Sequence, residues 1–116
     1  MNPDEKTVAP FHITIHPITT DEFIETVTSW AQRSDHSRII TYLNAHCINT
    51  YFKDAEYADI VDSANLVYAD GQAVVWASRF LGQSLPERVN AGDFFLRFCT
   101  ECENKGIRLF LLGSYE

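Results

Sequence analysis

The sequence predicts an α/β domain: a mainly parallel sheet with flanking helices, Rossmann-like in its order of elements. Three observations predict it. Short apolar runs rich in β-branched residues alternate with segments of helical periodicity. The runs RIITYL (38–43), LVYA (66–69) and IRLFLLG (107–113) are almost continuously apolar, as strands buried on both faces require. Asn44, Asp70 and Gly113 each follow or close one of these runs, and ligands of open α/β sheets bind beyond the carboxyl ends of the strands.

Taken in order, residues 1–10 read as a flexible leader, polar and without periodicity. FHITIHP (11–17) alternates apolar and polar residues and reads as a first short strand ended by Pro17. Thr19 or Thr20 then caps a helix, with Asp21 and Glu22 in the first turn where carboxylates suit the helix dipole. Phe23, Ile24, Val27 and Trp30 recur at helical spacing, so this helix runs to about Arg33. A turn at 34–37 precedes the second strand, 38–43. Helical pattern resumes at Ala45 and continues through INTYF and AEYADIVDSA. The third strand is 66–69, and QAVVWASRFLG (72–82) is a helix stopped by Gly82. A loop at 83–93 leads into a helix over 93–106, with Phe94, Phe95, Phe98 and Cys102 on one side. The fourth strand is 107–113, and an α/β strand normally feeds a crossover helix, so the pattern reads as a domain truncated at its C-terminal side.

Length and charge restrict the function. A chain of 116 residues supports one core, here the part 11–116 of a single domain. A net charge of −7 repels phosphate backbones, which argues against a nucleic-acid partner and against a basic membrane-docking face. No stretch has the length of a transmembrane helix, and the N-terminus lacks the apolar core of a signal peptide. Three cysteines without such a peptide read as reduced cytosolic thiols. Cys99 and Cys102 form a C-x-x-C, but inside a helical pattern the spacing only puts both thiols on one face, so no metal site is expected.

The residues that could carry chemistry each have two readings. Asp70 precedes Gly71 and a helix. It is either a helix cap or a general base beside free helix N–H groups. Asn44 either closes an Asx turn or binds a sugar hydroxyl. His46 is two residues further on; a lone histidine is more often a surface group than a catalyst. His12, His16 and His36 show no partner in the sequence. Arg88, in LPERVNAGD (85–93), suits bidentate phosphate binding, or else pairs with Glu87 or Asp93. Asp93 begins a helix and invites the cap reading again. The aromatic residues Trp30, Trp76, Phe94, Phe95, Phe98 and Phe110 read as packing. No P-loop, dinucleotide fingerprint, nucleophile elbow or zincin motif occurs.

LNAH (43–46), ANLVYADGQAVVWASRFLG (64–82), LPERVNAGDFF (85–95) and KGIRLFLLG (105–113), in that order and spacing, resemble the WecG/TagA/CpsF glycosyltransferase family. The resemblance implies transfer of a sugar, N-acetylmannosamine-like, from a UDP-sugar to an undecaprenyl-diphosphate-linked acceptor in surface polysaccharide or teichoic acid synthesis. It implies that Asp70 is the general base, with Asn44, Gly71, Gln72, Arg88, Asn90, Asp93, Tyr42, Thr41 and Gly113 as substrate contacts. Tyr42 stands where many members have Thr, and Thr41, one step back, points to the opposite face of a strand. Gln72 replaces a small or apolar residue. The sequence contains no Asp-x-Asp, so the expected mechanism needs no metal and no cofactor. The family's domain continues past Gly113 into further donor contacts and a basic segment. Membrane association, at the inner face of the cell membrane, is expected through that segment. Apolar surface left uncovered favours a homo-oligomer. Two other readings stay open: an inactive α/β fragment serving as an interaction module, and a generic nucleotide-binding domain.

Overall fold

The computed structural model describes residues 7–33 and 35–114. Its elements are α1 (Thr20–Gln32), β1 (Ile40–Leu43), α2 (Ala45–Lys53), α3 (Ala55–Ser63), β2 (Leu66–Ala69), α4 (Gln72–Phe80) and α5 (Ala91–Asn104). β1 and β2 pair in parallel, with Ile40 opposite Leu66 and Leu43 opposite Ala69. The class is therefore mixed α/β with a small parallel sheet, and the expected four strands reduce to two.

The two lost strands have a common cause: an extended segment becomes a strand only where a neighbour accepts its backbone bonds. In 11–17 the chain makes a single antiparallel bridge, Ile15 to Val8. His16 then lies along the outer edge of β2. Its backbone N–H donates to Val67 O at 2.8 Å, and its ring Nδ1 accepts from Val67 N–H at 3.0 Å. His16, for which the sequence showed no partner, is thus buried and takes a strand's place. Further along the same edge, Val89 N–H donates to Ala69 O at 2.8 Å. The segment 107–113 meets neither strand. Phe110 and Leu112 are 88% and 89% exposed, and the run belongs to no strand.

Alternation along the strands sends side chains to two helical layers. Leu43, Val67 and Ala69 face a core with Ile13, Ile15, Val61, Val74 and Val75, against which residues of α2 and α3 pack. Leu66 and Tyr68 face a second core with Ile18, Phe23, Ile24 and Phe94, from α1, α5 and the segment before α1. Phe23 joins the layers' aromatic contacts, its ring centroid 4.8 Å from Tyr68 and 4.9 Å from Phe94.

Helix ends follow local chemistry. Thr19 caps α1 with a complete capping box to Glu22. Asp54 ends α2 and caps α3, so the helical pattern of INTYF and that of AEYADIVDSA fall on two successive helices. Gly82 and Gly106 adopt φ of 78° and 67° just past α4 and α5, the left-handed conformation that stops a helix. α5 begins at Ala91, two residues before the expected start, because Asn90 takes the position ahead of it. Residues 1–6 of the expected leader lie outside the described residues. Residues 7–10 do not behave as a leader: Val8 makes the bridge to Ile15, and Ala9 N–H donates to Gln83 Oε1 at 2.8 Å. Trp76, Phe95 and Phe110, expected as packing, are exposed. On α5 the buried side is Phe94 and Cys102, with Phe95 turned outward. Cys99 and Cys102 are free thiols, and burial pushes the Cys102 thiol up from its ordinary pKa. No helix among the described residues is long and apolar enough to cross a membrane.

Candidate functional site at the strand ends

The carboxyl ends of β1 and β2 and the loop before α5 converge on one place. Asp70 N–H donates to Leu43 O at 2.9 Å, which carries the parallel pairing one residue past the sheet. Asn44, the next residue after β1, is the N-cap of α2; its Oδ1 accepts from Cys47 N–H at 2.9 Å. Of the two readings of Asn44, the turn-holding one is therefore realised in its side chain. A Cβ on Gly71 would stand 3.9 Å from Asn44 Cβ, so the two turns lie side by side.

Asp70 is not a helix cap. That position ahead of α4 belongs to Gly71, with φ 139° and ψ 133° and no side-chain cap bond. The half-buried Asp70 carboxylate instead accepts from Asn90 Nδ2 at 2.8 Å. At the preceding strand end, burial pushes the Tyr68 phenol up to about 12, with further contributions from the Asp70 charge and from Tyr42. Tyr68 thus stays neutral over the whole physiological range.

The loop 83–90 is positioned by four anchors. Leu85 and Val89 are buried, Gln83 accepts from Ala9, and Glu87 Oε1 accepts from Thr20 N–H at 2.8 Å. Glu87 is therefore occupied at the start of α1. Arg88 pairs with Asp93 instead, at 3.3 Å, both side chains being substantially exposed. Asp93 lies in the first turn of α5, not at its cap.

The structure thus brings Asn44, Asp70, Gly71 and Asn90 together, with the Arg88–Asp93 pair on the loop and helix that carry Asn90. Gln72 is exposed at the first position of α4. Tyr42 is 45% exposed and its ring lies 6.3 Å from Tyr68, on the α1/α5 side of the sheet. Thr41 is on the opposite side with Leu43, so it does not replace Tyr42. Gly113 belongs to the unpaired segment, and a Cβ there would find open space. His46 is exposed on α2. A groove of about 770 Å³ lies elsewhere, lined by Ala31, Gln32 and Lys105 to Phe110. It sits past the far end of α5, roughly 20 Å from that helix's start at 1.5 Å per residue. No group of three or more His, Cys, Asp or Glu side chains suited to a metal converges among the described residues.

Gly71 fixes the turn that exposes Asp70. Its dihedral angles lie where only glycine is at ease, yet a Cβ there would find room. The cost of Gly71→Ala is therefore conformational, about 1–3 kcal/mol. Urea unfolding is expected to show a lower midpoint with an unchanged slope.

A half-buried carboxylate stands at adjacent parallel strand ends, beside the N-termini of α4 and α5 that have no side-chain caps, in a mixed α/β protein; strand ends of this kind are where open α/β sheets bind ligands. Residues 8–116 match the glycosyl transferase WecG/TagA/CpsF family, and the chain belongs to that family. It is similar to an N-acetylglucosaminyldiphosphoundecaprenol N-acetyl-beta-D-mannosaminyltransferase of Bacillus subtilis (strain 168), with 30% identity over 76 residues. That alignment covers 66% of this chain and 30% of the relative.

Proposed function

We propose that this chain is the base-bearing part of a glycosyltransferase. The enzyme moves an N-acetylmannosamine-like sugar from a UDP-sugar to an undecaprenyl-diphosphate-linked acceptor in cell-surface polysaccharide synthesis. The family supports the reaction class, and the name of the Bacillus relative supports the acceptor. The observation that carries the reading is Asp70 itself: its carboxylate is held by a side-chain amide at a strand end instead of capping the helix that follows.

The chemistry is a displacement at the anomeric carbon of the donor. The acceptor hydroxyl oxygen forms the new bond to that carbon, and its proton passes to Asp70. The bond from the anomeric carbon to the diphosphate breaks, and the electron pair leaves with UDP. Charge growing on the leaving diphosphate requires N–H or cationic partners. The uncapped N-termini of α4 and α5 offer the first, and Arg88 the second. The Arg88–Asp93 pair is exposed and worth little, so a phosphate can displace Asp93 from the guanidinium. The proposed mechanism needs no metal. The remaining donor contacts, and attachment to the inner face of the membrane, are assigned to further segments of the complete protein.

A donor screen tests the reading. The full-length gene product is given a lipid-diphosphate-linked N-acetylglucosamine acceptor and a panel of UDP-sugars, and the lipid product is detected by mass. One UDP-sugar, an N-acetylhexosamine, is expected to give a product one sugar heavier. No transfer from any UDP-sugar would defeat the proposal.

A further inference from the structure

Asn90 stands immediately ahead of α5, where asparagine is among the best capping residues because its side-chain oxygen accepts from the first-turn amides. In this protein it makes no such bond. Its Nδ2 turns to Asp70 Oδ1, 2.8 Å away. The reverse amide orientation would set two oxygen acceptors against each other, so the chemistry fixes which end faces Asp70. Gly92 makes this rotamer fit: a Cβ there would come within 2.9 Å of Asn90 Oδ1. The backbone is fixed too, since Val89, the residue before, is buried and bonded to Ala69, the residue before Asp70. α5 forgoes a cap, and the side chain that would supply it is spent on the carboxylate.

We propose that Asn90 is a positioning residue for Asp70: its amide holds Oδ1 and leaves Oδ2 as the oxygen that meets the acceptor hydroxyl. Among the described residues Asp70 Oδ2 makes no hydrogen bond. The inference rests on Asp70 being the base, and it replaces the expectation that Asn90 itself contacts substrate.

Two substitutions separate positioning from capping. Asp and Ser both cap helices about as well as Asn, so Asn90→Asp and Asn90→Ser preserve or improve the start of α5. Neither can supply the amide donor: serine is too short, and aspartate places a like charge opposite Asp70. In the full-length enzyme, both are expected to melt close to the wild-type temperature and to keep the donor KM. Their kcat is expected to fall about tenfold or more, the size of a lost hydrogen bond to a charged group. In Asn90→Asp the acid limb of the kcat profile moves to higher pH, because the added carboxylate opposes ionisation of its neighbour. Asn90→Gln, which keeps the donor on a longer arm, recovers part of kcat. Wild-type kcat and pH profile in both Asn90→Asp and Asn90→Ser, with Asp70→Asn inactive, overturn the positioning role and leave the proposed function standing. An active Asp70→Asn enzyme defeats the base assignment itself and the positioning role with it.

Discussion

Asp70→Asn in the full-length enzyme lowers kcat by about 10²- to 10⁴-fold, the contribution usual for a positioned general base. The substitution is nearly isosteric. The introduced amide keeps an oxygen that can accept from Asn90 Nδ2, and the backbone bond to Leu43 O is untouched. Asp70 does not cap α4, so no helix loses a terminal partner. Substrate binding and melting temperature therefore stay near wild type while turnover collapses. Steady-state kinetics beside a thermal melt check this. A large fall in melting temperature would mean that Asp70 is structural, and a wild-type kcat would mean that it is not the base.

The second large effect is on stability. Leu43 is fully buried in the core formed by Val61, Val67, Ala69, Val74 and Val75. It is also the last residue of β1, and its carbonyl accepts from Asp70 N–H. A sheet of two strands has little redundancy, since each strand supplies half of every cross-strand contact. Leu43→Ala is expected to cost about 2–5 kcal/mol, from lost transfer energy and the cavity left behind. Leu96, on α5 and 83% exposed, is the control: Leu96→Ala is expected within about 0.5 kcal/mol of wild type. Urea midpoints at constant slope measure both. Being less stable, the variant should lose activity at urea concentrations that leave the wild-type enzyme working.

Much of this arrangement was legible in the sequence, for identifiable reasons. β2 (Leu66–Ala69) falls on the apolar run LVYA because both its faces are buried, and no periodicity other than continuous hydrophobicity fits that. α1 was marked by the local signals at its start, a capping Thr19 or Thr20 with Asp21 and Glu22 in the first turn, and the structure makes Thr19 the cap. Asn44 and Asp70 were placed at strand ends by the same logic, and they are there. The runs at 11–17 and 107–113 misled because apolar β-branched character describes what could pair, whereas a strand needs a neighbour that bonds its backbone. In 11–17 it is His16 that bonds to the edge of β2, partly through its ring, and Val89 continues along that edge; these residues lie 51 and 20 positions from their partners Val67 and Ala69, and no local pattern encodes such distant contacts. Asn90 illustrates the same limit. In the sequence it falls inside the expected loop 83–93, with Asp93 as the expected cap, and only the fold shows its amide turned to Asp70.

If Asp70 takes the acceptor proton, a small carboxylate supplied from solution should restore turnover when the side chain is removed. Asp70→Ala removes the carboxylate and leaves a gap beside Asn90. Transfer by this variant is to be measured with saturating UDP-sugar and lipid-linked acceptor, as formate is added. Negligible turnover is expected without formate, with a rate that rises with formate concentration while the wild-type rate is unchanged. Wild-type turnover by Asp70→Ala in the absence of formate would contradict the base role of Asp70.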